Sequence, residues 1–236
     1  MKRIYLLGIL LVSFSQHGNC TQKLTEVIQF ASVEKSQMLL SQEDDFTDRW
    51  SPLDIDIRMQ KANSTKEELL TYIPTQALEW DNKGKRLLYS ILEKIDTEIF
   101  SQGYKLNIPD TIFFIKTTLD EEFKGASGYT RTNYIILNTD KIKASNDMLE
   151  HVIIHELFHV LSRHDPEFRS KMYGIIGFKM IDEIRLPNDL QAMKLTNPDA
   201  PYVDSYIQLE YENQPVKCAM INYSKKSYRE GTIMEY

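Results

Sequence analysis

The run His151-Val-Ile-Ile-His155-Glu156-Leu-Phe-His159 constrains this chain more than any other stretch of its sequence. It contains HExxH, the spacing by which one helix offers two imidazoles to a single zinc ion and a carboxylate to the adjacent water. Four residues of α-helix advance the chain by ~6 Å and rotate it ~40° beyond a full turn, so His155 and His159 project from nearly the same face. Glu156, ~60° round from His159, is placed to meet a water beside the metal without replacing it. The surrounding stretch from Asp147 to Arg163 carries Met148, Leu149, Val152, Ile153, Ile154, Leu157, Phe158, Val160 and Leu161 on almost every side, which predicts a buried helix. Two imidazoles and a carboxylate inside such a helix cost several kcal/mol unless a cation or hydrogen-bond partners compensate them.

The chain is 236 residues long, 42% hydrophobic and 26% charged, ordinary values for a globular protein. Met1-Lys2-Arg3 followed by the apolar run Ile4 to Phe14 has the basic start and short hydrophobic core of a secretory signal peptide. Residues 1–19 are read as that leader, and the protein as exported to the periplasm, the extracellular space or the cell envelope. Cys20 lies where a lipoprotein would keep a lipidated cysteine, which makes a lipid anchor the alternative reading; left unmodified, it could pair with Cys218 in an oxidising compartment. Loss of Lys2 and Arg3 takes the net charge from −6 to −8, which argues against nucleic acid as a partner.

Residues 20–236 are read as one domain, with 20–60 a loosely packed N-terminal extension. Within that extension Leu24 to Leu40 is expected to be helical, and Ser41 to Asp48 reads as a polar linker. Lys85 to Phe100 has Leu87, Leu88, Ile91, Leu92, Ile95 and Ile99 at helical spacing. Ile112 to Lys116 and Tyr129 to Leu137 are β-branched and aromatic and predict strands. Ser145 or Asn146 is expected to cap the histidine helix, and Asp165-Pro166-Glu167 to begin another helix, running to about Tyr173. Tyr206 to Tyr211 and Val216 to Tyr223 predict a hairpin joined by Glu212 to Pro215. The fold class is α+β.

His155-Glu156-Leu157-Phe158-His159 resembles the active helix of zincin metallopeptidases, and the resemblance is confined to about Gly128 to Arg163. It implies a small sheet packed on the HExxH helix with further helices around it. The strand Tyr129 to Leu137 would be the edge strand that holds a peptide substrate. It also implies Zn2+ held by His155 and His159, with Glu156 as general base in peptide-bond hydrolysis of a peptide or protein substrate.

A third ligand must come from elsewhere. The metzincin pattern would place it at Asp165, but the glycine of that pattern is replaced by Ser162, and Asp165 has a sufficient role as a helix cap. His151 and His164 flank the motif in positions that suit supporting or surface roles. The gluzincin pattern takes a downstream glutamate, and Glu183, between apolar neighbours, is the expected ligand, with Asp182 the weaker substitute. Thr196-Asn197-Pro198-Asp199-Ala200-Pro201-Tyr202 is a rigid, turn-rich segment that could line the cleft, and Tyr202 is the candidate oxyanion donor. Arg131 on the substrate strand could hold a peptide carboxylate, and the favoured reading is a solvated arginine. The alternative to a peptidase is an exported, non-catalytic zinc-binding or scaffold protein that keeps the fold without turnover.

Overall fold

The computed structural model describes residues 22–123, 126–142, 146–225 and 228. The expected leader, Cys20 and the expected cap at Ser145 lie outside these residues.

The architecture is α+β and zincin-like: a five-stranded mixed sheet with helices on both faces, and a smaller three-stranded sheet beyond the histidine helix. The predicted first helix is three elements, α1 (Leu24–Val27), β1 (Ile28–Phe30) and α2 (Val33–Leu40). Ile28, Gln29 and Phe30 pair in parallel with the third strand, so sheet pairing overrides a helix-compatible pattern. Ser32 then restarts the helix as its N-cap, accepting from the Lys35 N–H. Next come α3 (Pro52–Met59), α4 (Lys66–Thr75), the short β2 (Ala77–Leu78) and the long α5 (Asn82–Ser101).

The sheet's centre is β3 (Ile112–Thr117), flanked by β1 and β5 (Tyr134–Leu137), both parallel to it, while β2 meets its end antiparallel. The outer strand is β4 (Gly128–Arg131), antiparallel to β5. The predicted strand Tyr129 to Leu137 is therefore a hairpin turning at Thr132-Asn133, and only its first arm is an edge. Thr132 adopts φ 43° there.

The histidine helix α6 (Asn146–His164) packs Leu149, Ile153, Leu157 and Leu161 into the core that holds Ile135 and Leu137 of β5 and Leu88, Ile91 and Leu92 of α5. Gly128 permits close approach of β4, since a Cβ there would lie 3.0 Å from the Ile136 carbonyl oxygen and 3.5 Å from Val152. Asp165 caps α7 (Pro166–Ile175), accepting from the N–H groups of Glu167 and Phe168. The second sheet contains β6 (Phe178–Met180), β7 (Ser205–Tyr211) and β8 (Gln214–Cys218), with α8 (Asn188–Ala192) between β6 and β7. The hairpin turn is shorter than expected: Glu212 and Asn213 alone, at φ 49° and 61°, form it.

The expectation of a loosely packed extension at 20–60 does not hold. Leu24, Val27, Leu40 and Ile57 are buried, and Asp96 of α5 accepts from the N–H groups of Leu24 and Thr25 at 2.8 and 3.1 Å. Two buried arginines complete the attachment. Arg131, 1% exposed and not solvated, pairs with Asp44 at 2.8 Å and donates to the Leu40 and Gln42 carbonyls, fixing the supposed linker across β4. Arg58 pairs with Asp54 (2.8 Å) and Glu122 (2.7 Å) and donates to the Thr196 carbonyl at 2.9 Å.

Removing one member of such a buried cluster leaves uncompensated charge, which costs ~3–5 kcal/mol. Arg58→Ala should lower the unfolding free energy by about that amount in urea titrations; a loss below ~1 kcal/mol would mean that the cluster contributes little.

Candidate metal centre

His155 and His159 sit one turn apart on α6 with their Nε2 atoms 3.1 Å apart and their rings inclined at 76°. Two ligands bound tetrahedrally at ~2.0–2.1 Å lie ~3.3 Å apart, so the spacing is that of imidazoles converging on one ion. Burial, with the neighbouring His155, Arg163 and Arg169, pushes His159 down to about 3, and burial also lowers His155. Both imidazoles are thus neutral at physiological pH, the state a metal ligand requires.

Glu156 turns the other way, towards β4, and is 3% exposed. The Thr130 hydroxyl donates to its Oε2 at 2.7 Å. Beside it lies Asp199, whose Oδ1 accepts from the Thr130 N–H at 2.7 Å. Burial first, and then the negative charge of Asp199, raise the Glu156 carboxyl well above the usual carboxylate range; burial likewise raises Asp199. Two carboxyls so close and so dry hold a proton between them unless a cation neutralises them.

His155, His159 and Asp199 each offer a ligand atom, all within 4.8 Å of one another, and they are the one such group found among the described residues. Neutral nitrogen donors and an under-compensated carboxyl at this spacing fit a divalent ion, and leave room for a fourth ligand. The expected third ligand, Glu183, is not in this group. Both of its oxygens are taken by Arg49, at 2.7 Å each, at the surface, and that hydrogen-bonded pairing lowers its pKa. Asp165 is occupied as the α7 cap, and His164 is exposed.

Asp199 is missing from the ligand candidates read from sequence, although the segment that carries it was singled out. What places it is tertiary. The Thr196 N–H and hydroxyl reach the Asp54 carboxylate at 2.8 Å each, Arg58 holds the Thr196 carbonyl, and Arg163 of α6 donates to the Pro198 carbonyl. The Asp199 N–H returns to Asn197 Oδ1 at 3.0 Å, an Asx turn that local sequence does encode. Tyr202 lines the cleft beside His159, but its ring lies under the Arg49 guanidinium at 3.9 Å and its hydroxyl is hydrogen-bonded to Asp45. Burial and that bond push its pKa up to about 12, so Tyr202 forms a wall and not the free donor expected of it. His151 borders the opposite opening with Ser127, Gly128 and Glu156, its Nδ1 bonded to the Asp147 carbonyl at 2.5 Å.

A helix that presents two imidazoles and a carboxyl, packed under a mixed sheet with an antiparallel edge strand beside it, is the zincin-like metallopeptidase arrangement. The comparison with protein families agrees: the model described as YgjP-like, metallopeptidase domain, matches residues 115–177, from β3 to the end of α7. No curated protein and no solved structure matches the chain.

The raised Glu156 carboxyl has a measurable consequence in metal-free protein. Its folded pKa lies above the unfolded 4.5, so the folded state holds this proton more tightly. The resulting stability is complete below the unfolded value and is lost as pH rises through the folded one. Glu156→Gln has no such dependence. Its melting temperature relative to the unaltered protein, in chelator, should therefore rise between about pH 5 and about pH 8, and a flat difference would show that Glu156 titrates as a solvated group.

Proposed function

We propose that this protein is a zinc-dependent peptidase in which His155, His159 and Asp199 hold the ion and Glu156 is the general base. The observation that carries this reading is the convergence of His155, His159 and Asp199, whose ligand atoms all lie within 4.8 Å of one another beside the buried Glu156 carboxyl. A set of two nitrogens and one carboxylate oxygen with an open position is the pattern of catalytic zinc; closed structural sites use four protein ligands. When bound, the ion would polarise the scissile carbonyl and make a water nucleophilic near neutral pH.

The chain's own residues supply the rest. Glu156 accepts the proton of the attacking water as its oxygen bonds to the carbonyl carbon. It then delivers that proton to the leaving nitrogen as the C–N bond breaks. Its burial keeps bulk water from competing with the attacking water for that proton. The Thr130 hydroxyl, donating to its Oε2, holds the Glu156 carboxyl in place. Export of the chain is part of the proposal and rests on the basic, apolar segment Met1 to Phe14; the acidic balance supports a peptide or protein substrate over nucleic acid.

Three variants test the assignments. Glu156→Gln should keep its zinc and lose hydrolysis of a broad peptide library by ~100-fold or more; undiminished activity would remove Glu156 from the mechanism. Asp199→Ala should lower zinc affinity by at least ~10-fold in chelator competition, since loss of a direct ligand is at least as costly as loss of its supporting partner. Glu183→Ala should leave zinc content unchanged and alter stability by no more than ~1 kcal/mol, being one half of a partly exposed ion pair.

A further inference from the structure

His155, Glu156 and Asp199 together line a small cavity of about 350 Å³, with Ser127, Gly128 and His151 around its rim. Ser127, His151 and His155 are exposed there and Gly128 is partly so, so the cavity is open to an incoming molecule. The two larger openings beside His159 do not reach the Glu156 carboxyl. A bond broken with Glu156 as general base has to be presented where Glu156 can meet it, which is this smaller opening.

His151 is the side chain at this rim that the reaction has not yet used. It precedes His155 by four residues, so the two lie on one face of α6 with their Cβ atoms ~5–6 Å apart. It stands outside the group of three that converge as metal ligands. Its ring is nonetheless held. A carbonyl oxygen can only accept, so Nδ1, 2.5 Å from the Asp147 carbonyl, carries the proton. In the neutral ring Nε2 is then a bare lone pair, and among the described residues no hydrogen bond to it is found. A hydrogen bond of ~3 Å from that atom ends on a group lying between His151 and the metal centre.

The backbone donor that a peptide brings to such a place is an amide N–H. Amide resonance ties up the nitrogen's lone pair until the carbonyl carbon turns tetrahedral, and the lone pair must then face Glu156 to receive its proton. An acceptor for the N–H fixes that direction. We propose that His151 contacts the substrate, its Nε2 accepting the N–H of the scissile amide and so turning the nitrogen towards Glu156. No proton passes to His151: the hydrogen stays on nitrogen, Glu156 adds the second one, the C–N bond breaks and the product leaves as an amine. This rests on the reading of the site as a peptidase, and the test separates the two.

Two capped hexapeptides serve as probes, one of alanine throughout and one in which an ester oxygen replaces the central N–H. In zinc-loaded Glu156→Gln protein carrying isotopically labelled histidine, the amide peptide should move the His151 Nε2 resonance away from that of a bare ring nitrogen, and the ester should not. With Glu156 in place, His151→Phe should lower kcat for the amide by ~10-fold, the worth of one hydrogen bond, and for the ester by less than ~2-fold, with zinc content unchanged. His151→Gln, whose side-chain carbonyl can accept, should come within ~3-fold of the unaltered protein. Both replacements fall at an exposed position and spare the core. An Nε2 resonance unmoved by the amide, equal effects on amide and ester, or zinc lost from His151→Phe overturns the proposal. Hydrolysis by the unaltered protein is read separately. A peptide that moves Nε2 and is never cleaved defeats the peptidase reading alone, and cleavage that does not depend on His151 defeats the His151 assignment alone.

Discussion

Two carboxyls, the buried Glu156 and the half-buried Asp199, lie side by side next to the His155 and His159 imidazoles, and several buried or part-buried contacts keep them there. Without a cation the group is electrostatically frustrated: the carboxyls repel and share a proton, and the ring nitrogens face one another at 3.1 Å. A divalent ion relieves both conflicts at once. Three side chains able to hold a metal stand already converged, which is why the pocket reads as a candidate metal centre more strongly than the motif alone would allow.

The frustration is tolerable because the pieces cannot drift apart. Asp199 is tied to β4 through Thr130, its segment is tied to α6 through Arg163, and Thr196 is tied to α3 through Asp54 and Arg58. The ties are polar, those of Thr196 are buried and the other two part-buried, so releasing them means exposing charge or leaving a donor unpaired. Sequence-distant elements, the 52–59 helix and the 196–202 segment, thus become one support under the ligand. The N-terminal region is in this sense part of the site although it supplies no ligand to it.

The division between what sequence discloses and what it hides follows from this. The long helices α5 and α6, the Asp165 cap and the strand runs were legible because periodicity and capping are local. The 24–40 stretch is helix-compatible throughout, and Ile28 to Phe30 is a strand only by virtue of β3 beside it. The hairpin at Thr132-Asn133 is hidden because Tyr129, Thr130, Thr132 and the run Tyr134 to Leu137 are all β-branched, aromatic or aliphatic, so the strand signal continues past the single turn former Asn133. His155, Glu156 and His159 were legible as a set because one helix carries all three. Asp199 was not: an aspartate in an Asn-Pro-Asp-Ala-Pro turn looks like any other, and its value comes from Arg58, Arg163 and Thr130. Glu183 had the right residue type in a plausible position, yet Arg49 claims both of its oxygens.

Arg131 shows why the motif's surroundings matter as much as the motif. An arginine on an edge strand next to a metal helix invites a role in binding substrate, and in a chain with an open edge it would have one. Here it is 1% exposed, and its hydrogen bonds go to the segment 40–44. With Asp199 seated on the neighbouring Thr130 N–H, the edge is closed by two independent segments, one from each half of the chain. Both groups by which that strand could meet another segment, the Thr130 N–H and the Arg131 guanidinium, are thus already used within the chain.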